Sequence, residues 1–292
     1  SYDDASIEGW RAITEAVHAR GGQIVMQLWN VGRQSHPDIQ PDGQLPVAPS
    51  AIQAKGYGYS SKGAVPFSMP RALELHEISA IVAEFGAGAA RAKAAGFDGV
   101  EIHGANGYLP DQFLQDGTNK RNDSYGGPIE NRARFLLEAT QAAIDAFGAD
   151  RVGVRLSPGG TYGSMSDTDP QATFAYAAAR LDAMGIAYLH VVEPRIKGTE
   201  LIAEAEPVAA KHLRTVFGGT LIAAGGFDGA SAEAILAAGE ADAVAFGRAF
   251  IANPDLPERL RLHQPLNPYD RSTFYGGDAR GYTDYPFYHR AA

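Results

Sequence analysis

The chain contains no cysteine, which excludes disulfides, thiolate-held iron–sulfur clusters and thiolate zinc sites. No apolar run approaches the roughly 20 residues of a membrane-spanning helix. The opening residues, Ser1-Tyr2-Asp3-Asp4, are polar and acidic, unlike a signal peptide, so the expected location is the cytoplasm and no membrane is expected as a partner. Basic residues are in deficit. The formal net charge of −9 argues against nucleic acid or an anionic membrane as the main partner. No Gly-x-Gly-x-x-Gly opens a helix after an early strand, which counts against a Rossmann sheet. The eight histidines show no paired metal-ligand spacing at successive strand ends, and carboxylates there are sparse. No metal is therefore expected, and a metal-dependent barrel hydrolase built on His103 is the weakest functional reading.

What is present is an alternation. Short β-branched runs at 24–29, 99–103, 152–156, 188–192, 221–224 and 243–246 are separated by Ala-rich stretches with apolar residues at helical spacing, as in Ile78, Ile81, Val82, Phe85 and Ala89. Apolar strands of this kind belong to a parallel sheet covered on both faces. Six βα units in series point to an α/β protein with a (β/α)8 TIM barrel more than to an open doubly wound sheet. The count is two short of eight. The chain opens with a helix over about 6–19, with Ser6 as its N-cap, and another helix opens at Pro128 in a first-turn position. Residues 1–292 read as one barrel domain. It carries a Pro/Gly/Ser-rich loop or subdomain at 30–70 and an aromatic C-terminal tail at 266–292.

In such a barrel the C-terminal strand ends face the active site. Those ends carry Gln27 and Trp29, then His103 and Asn106, Arg155, Glu193, Gly225-Gly226 and Gly247-Arg248. His103 and Asn106 can hold a carbonyl oxygen as charge develops on it, and Tyr108, two residues on, can deliver a proton to the adjacent carbon. Arg155 in an apolar strand needs an anionic or electron-rich partner, either a neighbouring carboxylate or a ligand. Glycine pairs and an Arg closing the last two strands suit a phosphate. A phosphate, a mid-barrel Arg, an early Gln and a His/Asn/Tyr loop together suggest flavin mononucleotide. In that reading Arg155 lies near N1, Gln27 at the pyrimidine edge and His103/Asn106 above the ring.

These residues sit within longer motifs: Gln27-Leu28-Trp29, Gly32-Arg33, Pro46 to Ala51, His103 to Tyr108, Gln112-Phe113-Leu114, Asn122 to Gly127, Asn131-Arg132 with Arg134-Phe135, Arg155 to Pro158, Phe246-Gly247-Arg248, Asn253 to Leu256, Phe274 to Gly277 and Gly281 to Pro286. Through them the chain resembles the Old Yellow Enzyme family of FMN-dependent ene-reductases, especially bacterial N-ethylmaleimide and xenobiotic reductases, over residues 1–286. The resemblance implies FMN as cofactor and NAD(P)H as reductant. It implies reduction of activated C=C bonds in unsaturated carbonyls or maleimides, and of nitro compounds or nitrate esters. Gln27 and Arg155 would bind the flavin ring and ribityl chain, and Gly225, Gly226, Gly247 and Arg248 its phosphate. His103 and Asn106 would bind the acceptor oxygen, Tyr108 would protonate the α-carbon, and Trp29 and Tyr275 would shape the substrate pocket. Family members begin with two further βα units that this chain lacks, so the expectation is strands 3 to 8 of the barrel, with strands 1 and 2 missing. Either a homo-oligomer or complementing chain supplies those strands, or the chain is a truncated, inactive or weakly FMN-binding remnant.

Overall fold

All six runs become strands of one sheet in a computed structural model that describes residues 4–194, 196–197, 200–201, 208–275 and 278–288. The strands are β1 (Val25–Leu28), β2 (Gly99–Gly104), β3 (Val152–Leu156), β4 (Tyr188–Val192), β5 (Thr220–Ala224) and β6 (Ala243–Ala245). They lie side by side in chain order, every pair parallel. Parallel neighbours require a crossover, and helices supply it. The helices are α1 (Asp4–His18), α2 (Leu75–Ala94), α3 (Leu109–Leu114), α4 (Ile129–Phe147), α5 (Pro170–Ala183), α6 (Ala210–Leu213), α7 (Gly229–Ala237), α8 (Arg248–Ala252) and α9 (Leu256–Arg261).

The core forms between the helices and one face of the sheet. Val100, Ile102, Val154, Leu189, Val191 and Leu221 are completely buried and meet Ile78, Phe85 and Ala89 of α2, Phe135 and Leu136 of α4, and Phe174 and Leu181 of α5. The intervening strand residues have opposite character. Glu101, His103, Arg155, Tyr188 and His190 project to the other face, because side chains alternate along a strand. The strands are therefore not uniformly apolar as their composition suggests. Their inner face is polar where it approaches the site.

Two helix-start expectations need correction. α1 is already helical at Asp4, so Ser6 lies inside its first turn and is not the N-cap, which needs non-helical backbone. Pro128 has extended backbone (ψ 154°) and is the N-cap of α4, not a first-turn residue. The 30–70 segment is folded. It holds the antiparallel pair Tyr57–Ser60 and Gly63–Pro66 and a two-residue ladder from Val47–Ala48 to Arg71–Ala72. Arg33, 1% exposed, staples the segment to the loop after β3 by donating to the carbonyls of Ile52 (3.1 Å) and Gly163 (2.7 Å). Much of the aromatic tail is tied down as well. Arg259 donates to the carbonyls of Pro265 and Pro286, and Asp255 accepts from the Tyr288 amide. Gly276, Gly277 and 289–292 lie outside the described residues.

Candidate active site

Parallel strands bring all six C-terminal ends to one edge of the sheet, and the loop after β2 is built there. Asn106 (φ 58°) and Gly107 (φ 76°) are consecutive left-handed residues, a backbone that Asn and Gly tolerate best. Their polar groups are pinned. The Asn106 amide donates to Ser157 Oγ (2.7 Å), the Gly107 amide to Asp111 Oδ2 (2.8 Å), and Gln34 Nε2 to the Asn106 carbonyl (2.8 Å). A side chain at Gly107 would overlap Gln34. Asp111 is fully buried. Burial pushes its carboxyl up to about 7, against hydrogen bonds from Gln115, Gly107 and Ser157 that favour the anion.

Three aromatic side chains close on one another at this edge. The rings of His103 and Tyr108 lie 4.8 Å apart, nearly perpendicular, and Trp29 stacks on His103 at 6.1 Å and meets Tyr108 edge-on at 4.9 Å. His103 is 3% exposed. Burial and the Arg155 cation lower its pKa to about 3, so it works as a neutral imidazole. Burial, with the phenols of Tyr162 and Tyr275 nearby, raises Tyr108 to about 12 and keeps its proton on.

Arg155 stands beside His103 in the sheet register, with His190 on its other side. Burial lowers its pKa and the Glu101 charge opposes that shift, yet no carboxylate of the described residues lies within 4 Å of it. Of the two partners the sequence allowed, a close carboxylate is thus not found among the described residues. Arg155 Nε and His103 Nδ1 are buried without a hydrogen-bond partner. Such orphans are uncommon in a folded protein and fit residues awaiting a polar ligand. Gln27 is exposed on β1, with its Nε2 donating to Glu101 Oε1 (2.6 Å).

At the far side of the sheet Ala224 pairs with Ala245, so Gly225-Gly226 and Gly247-Arg248 leave adjacent strand ends. Gly225 (φ 110°) and Gly226 (φ 67°) adopt backbone that side chains disfavour, and Arg248 opens α8. Tyr275, 93% exposed, reaches electrostatic range of Tyr108 from the tail. Glu193 accepts from the Ala210 amide at the start of α6. Sequence reading missed Glu101, Asp111, Tyr162 and His190. Stepping two residues back from His103 along a strand would have found Glu101; the others depend on tertiary packing.

Comparison with known proteins is consistent with this geometry. The model of the NADH:flavin oxidoreductase / NADH oxidase family matches residues 1–267, and the chain belongs to that family. It is 46% identical over 289 residues to putative 12-oxophytodienoate reductase 11 of Oryza sativa subsp. japonica, covering 96% of this chain and 77% of the relative. Morphinone reductase in complex with tetrahydroNAD superposes with a TM-score of 0.92 at 51% identity, covering 99% of this chain and 79% of that one. The Old Yellow Enzyme homologue from Zymomonas mobilis gives 0.93 at 42% identity, with 98% and 79% covered. The chain is an FMN-dependent oxidoreductase of the Old Yellow Enzyme type with a nicotinamide as reductant, and its sheet is that of a parallel α/β barrel.

Proposed function

We propose that the chain reduces activated alkenes, such as enones and maleimides, at the edge of the sheet where His103, Asn106 and Tyr108 converge. The observation that carries this reading is a neutral, buried His103 with an unpaired Nδ1, in ring contact with a protonated Tyr108. Arg155 and Gln27 would hold the isoalloxazine ring, and Gly225, Gly226, Gly247 and Arg248 the phosphate. When bound, FMN supplies hydride chemistry, accepting from NAD(P)H and donating to the β-carbon of the alkene. The chain's own residues do the rest. His103 and Asn106 hold the acceptor oxygen and stabilise its developing charge. The Tyr108 hydroxyl gives its proton to the α-carbon, a transfer that suits a group still protonated at neutral pH. Trp29 and Tyr275, joined by Tyr162, wall the substrate. Nitro compounds and nitrate esters offer oxygens to the same donors.

The experiment is to purify the chain, add FMN, remove the excess by gel filtration and follow the flavin absorption anaerobically. Expected is a retained flavin band that NAD(P)H bleaches and a cyclic enone restores. A flavin bleached by NAD(P)H but not restored by enones or maleimides would overturn the alkene reading.

A further inference from the structure

Beneath the catalytic loop lies a buried carboxylate that the proposed chemistry does not use. Glu101 is 7% exposed, two residues before His103 on the same strand. It pairs in register with Gln27 on β1 and Gly153 on β3, and Gly153 pairs with Tyr188 on β4. Its two oxygens are divided between neighbours. Oε1 accepts from Gln27 Nε2 (2.6 Å), and Oε2 bonds His190 Nδ1 (2.9 Å). The Tyr188 phenol lies within electrostatic range of Glu101, and burial together with that charge raises its pKa. Gly153 leaves room for the Tyr188 ring, which a Cβ there would overlap.

An ionised carboxylate only accepts hydrogen bonds. Burial alone would raise the Glu101 pKa, but the His190 and Gln27 hydrogen bonds and the Arg155 charge bring it below the usual value, so it stays an anion. The Gln27 amide must therefore turn its NH2 group to Glu101 and its carbonyl oxygen away. With a neutral or absent side chain at position 101 either orientation of the amide becomes accessible. The same anion is the charge that acts on Arg155, whose Nε has no partner.

We infer that Glu101 is a positioning residue for the flavin: it fixes the Gln27 amide with its carbonyl oxygen presented as an acceptor to the imide N–H of the pyrimidine edge, and its charge offsets that of Arg155. The inference rests on the FMN reading above. Two consequences follow from one residue. Loss of the acceptor geometry weakens FMN binding only while Gln27 is present. Loss of the negative charge leaves Arg155 unopposed and stabilises the anionic reduced flavin, which raises the midpoint potential.

The test is a double-mutant cycle on the FMN-loaded protein, read by FMN dissociation constant and by flavin midpoint potential. Glu101→Gln is expected to weaken FMN binding by roughly threefold to tenfold, the net value of one hydrogen bond. In a Gln27→Ala background the same change is expected to cost little further. The potential is expected to rise in Glu101→Gln. It should stay near wild type in Glu101→Asp, which keeps the charge and serves as the second variant if the Gln variant folds poorly. Additive affinity losses with an unchanged potential would assign Glu101 a purely structural role and overturn the inference. So would an equal rise in the Asp variant. A wild type that takes up no FMN at all would overturn the functional reading, and this inference with it.

Discussion

His103 illustrates how one residue's chemistry is set by its neighbours. Desolvation and the adjacent Arg155 guanidinium hold its pKa at about 3, while desolvation and nearby phenols hold Tyr108 at about 12. One group is a neutral hydrogen-bonding partner and the other a retained acid over the whole range between. The alkene half-reaction should therefore be independent of pH from this pair between those limits. It should fall only as His103 gains a proton below about 3 or Tyr108 loses one toward about 12. Stopped-flow reoxidation by an enone across that range checks this, and an inflection near neutrality tracking either residue would contradict it. Tyr108→Phe should slow alkene reduction by about 100-fold or more, in the usual range for loss of a general acid, with flavin reduction by the nicotinamide changed only a few-fold. Equal losses in both half-reactions would exclude the proton-donor role.

At the scale of elements, the loop between β2 and α3 is held by what lies under it. Asp111 satisfies the Gly107 amide and the Gln115 side chain in a site closed to water. Asp111→Ala strands those donors and should destabilise the protein by about 2 kcal/mol or more in urea unfolding. The same residue gives a pH signature. Its carboxyl titrates near 7 when folded, against 3.8 for an ordinary Asp. The native state thus keeps a proton that the unfolded chain has released, and this contribution to stability declines as pH rises from about 4 to about 7. Asp111→Asn should flatten that slope; an unchanged slope would show that other groups carry it. The His103–Tyr108 motif was legible because its residues are close in sequence. Asp111 was not, because its role comes from burial and from Ser157, 46 residues away. α2 shows the opposite case. Ile78, Phe85 and Ala89 recur at helical spacing, and the sheet buries them as that spacing predicts.

For the whole molecule the decisive feature is the outline of the sheet. Six parallel strands end in β1 and β6, whose outer backbone groups have no strand partner among the described residues. The parallel order brings the C-terminal ends of all six strands to one side, so His103 and Arg155 become neighbours although they lie far apart in the chain.

The sequence by itself determined the six strands, their parallel class, the family and the residues of the His103 loop. Hydrophobic periodicity and short motifs are local properties of the chain, so they can be read without coordinates. Only the tertiary structure decided that the inner face of the strands is polar and that Arg155 forms no close ion pair among the described residues. It likewise revealed that Arg33 and Arg259 anchor the two irregular segments. Glu101, Gln27 and His190 come from three strands and meet only across the sheet. Register is a relation between strands, and it exists only once they have paired.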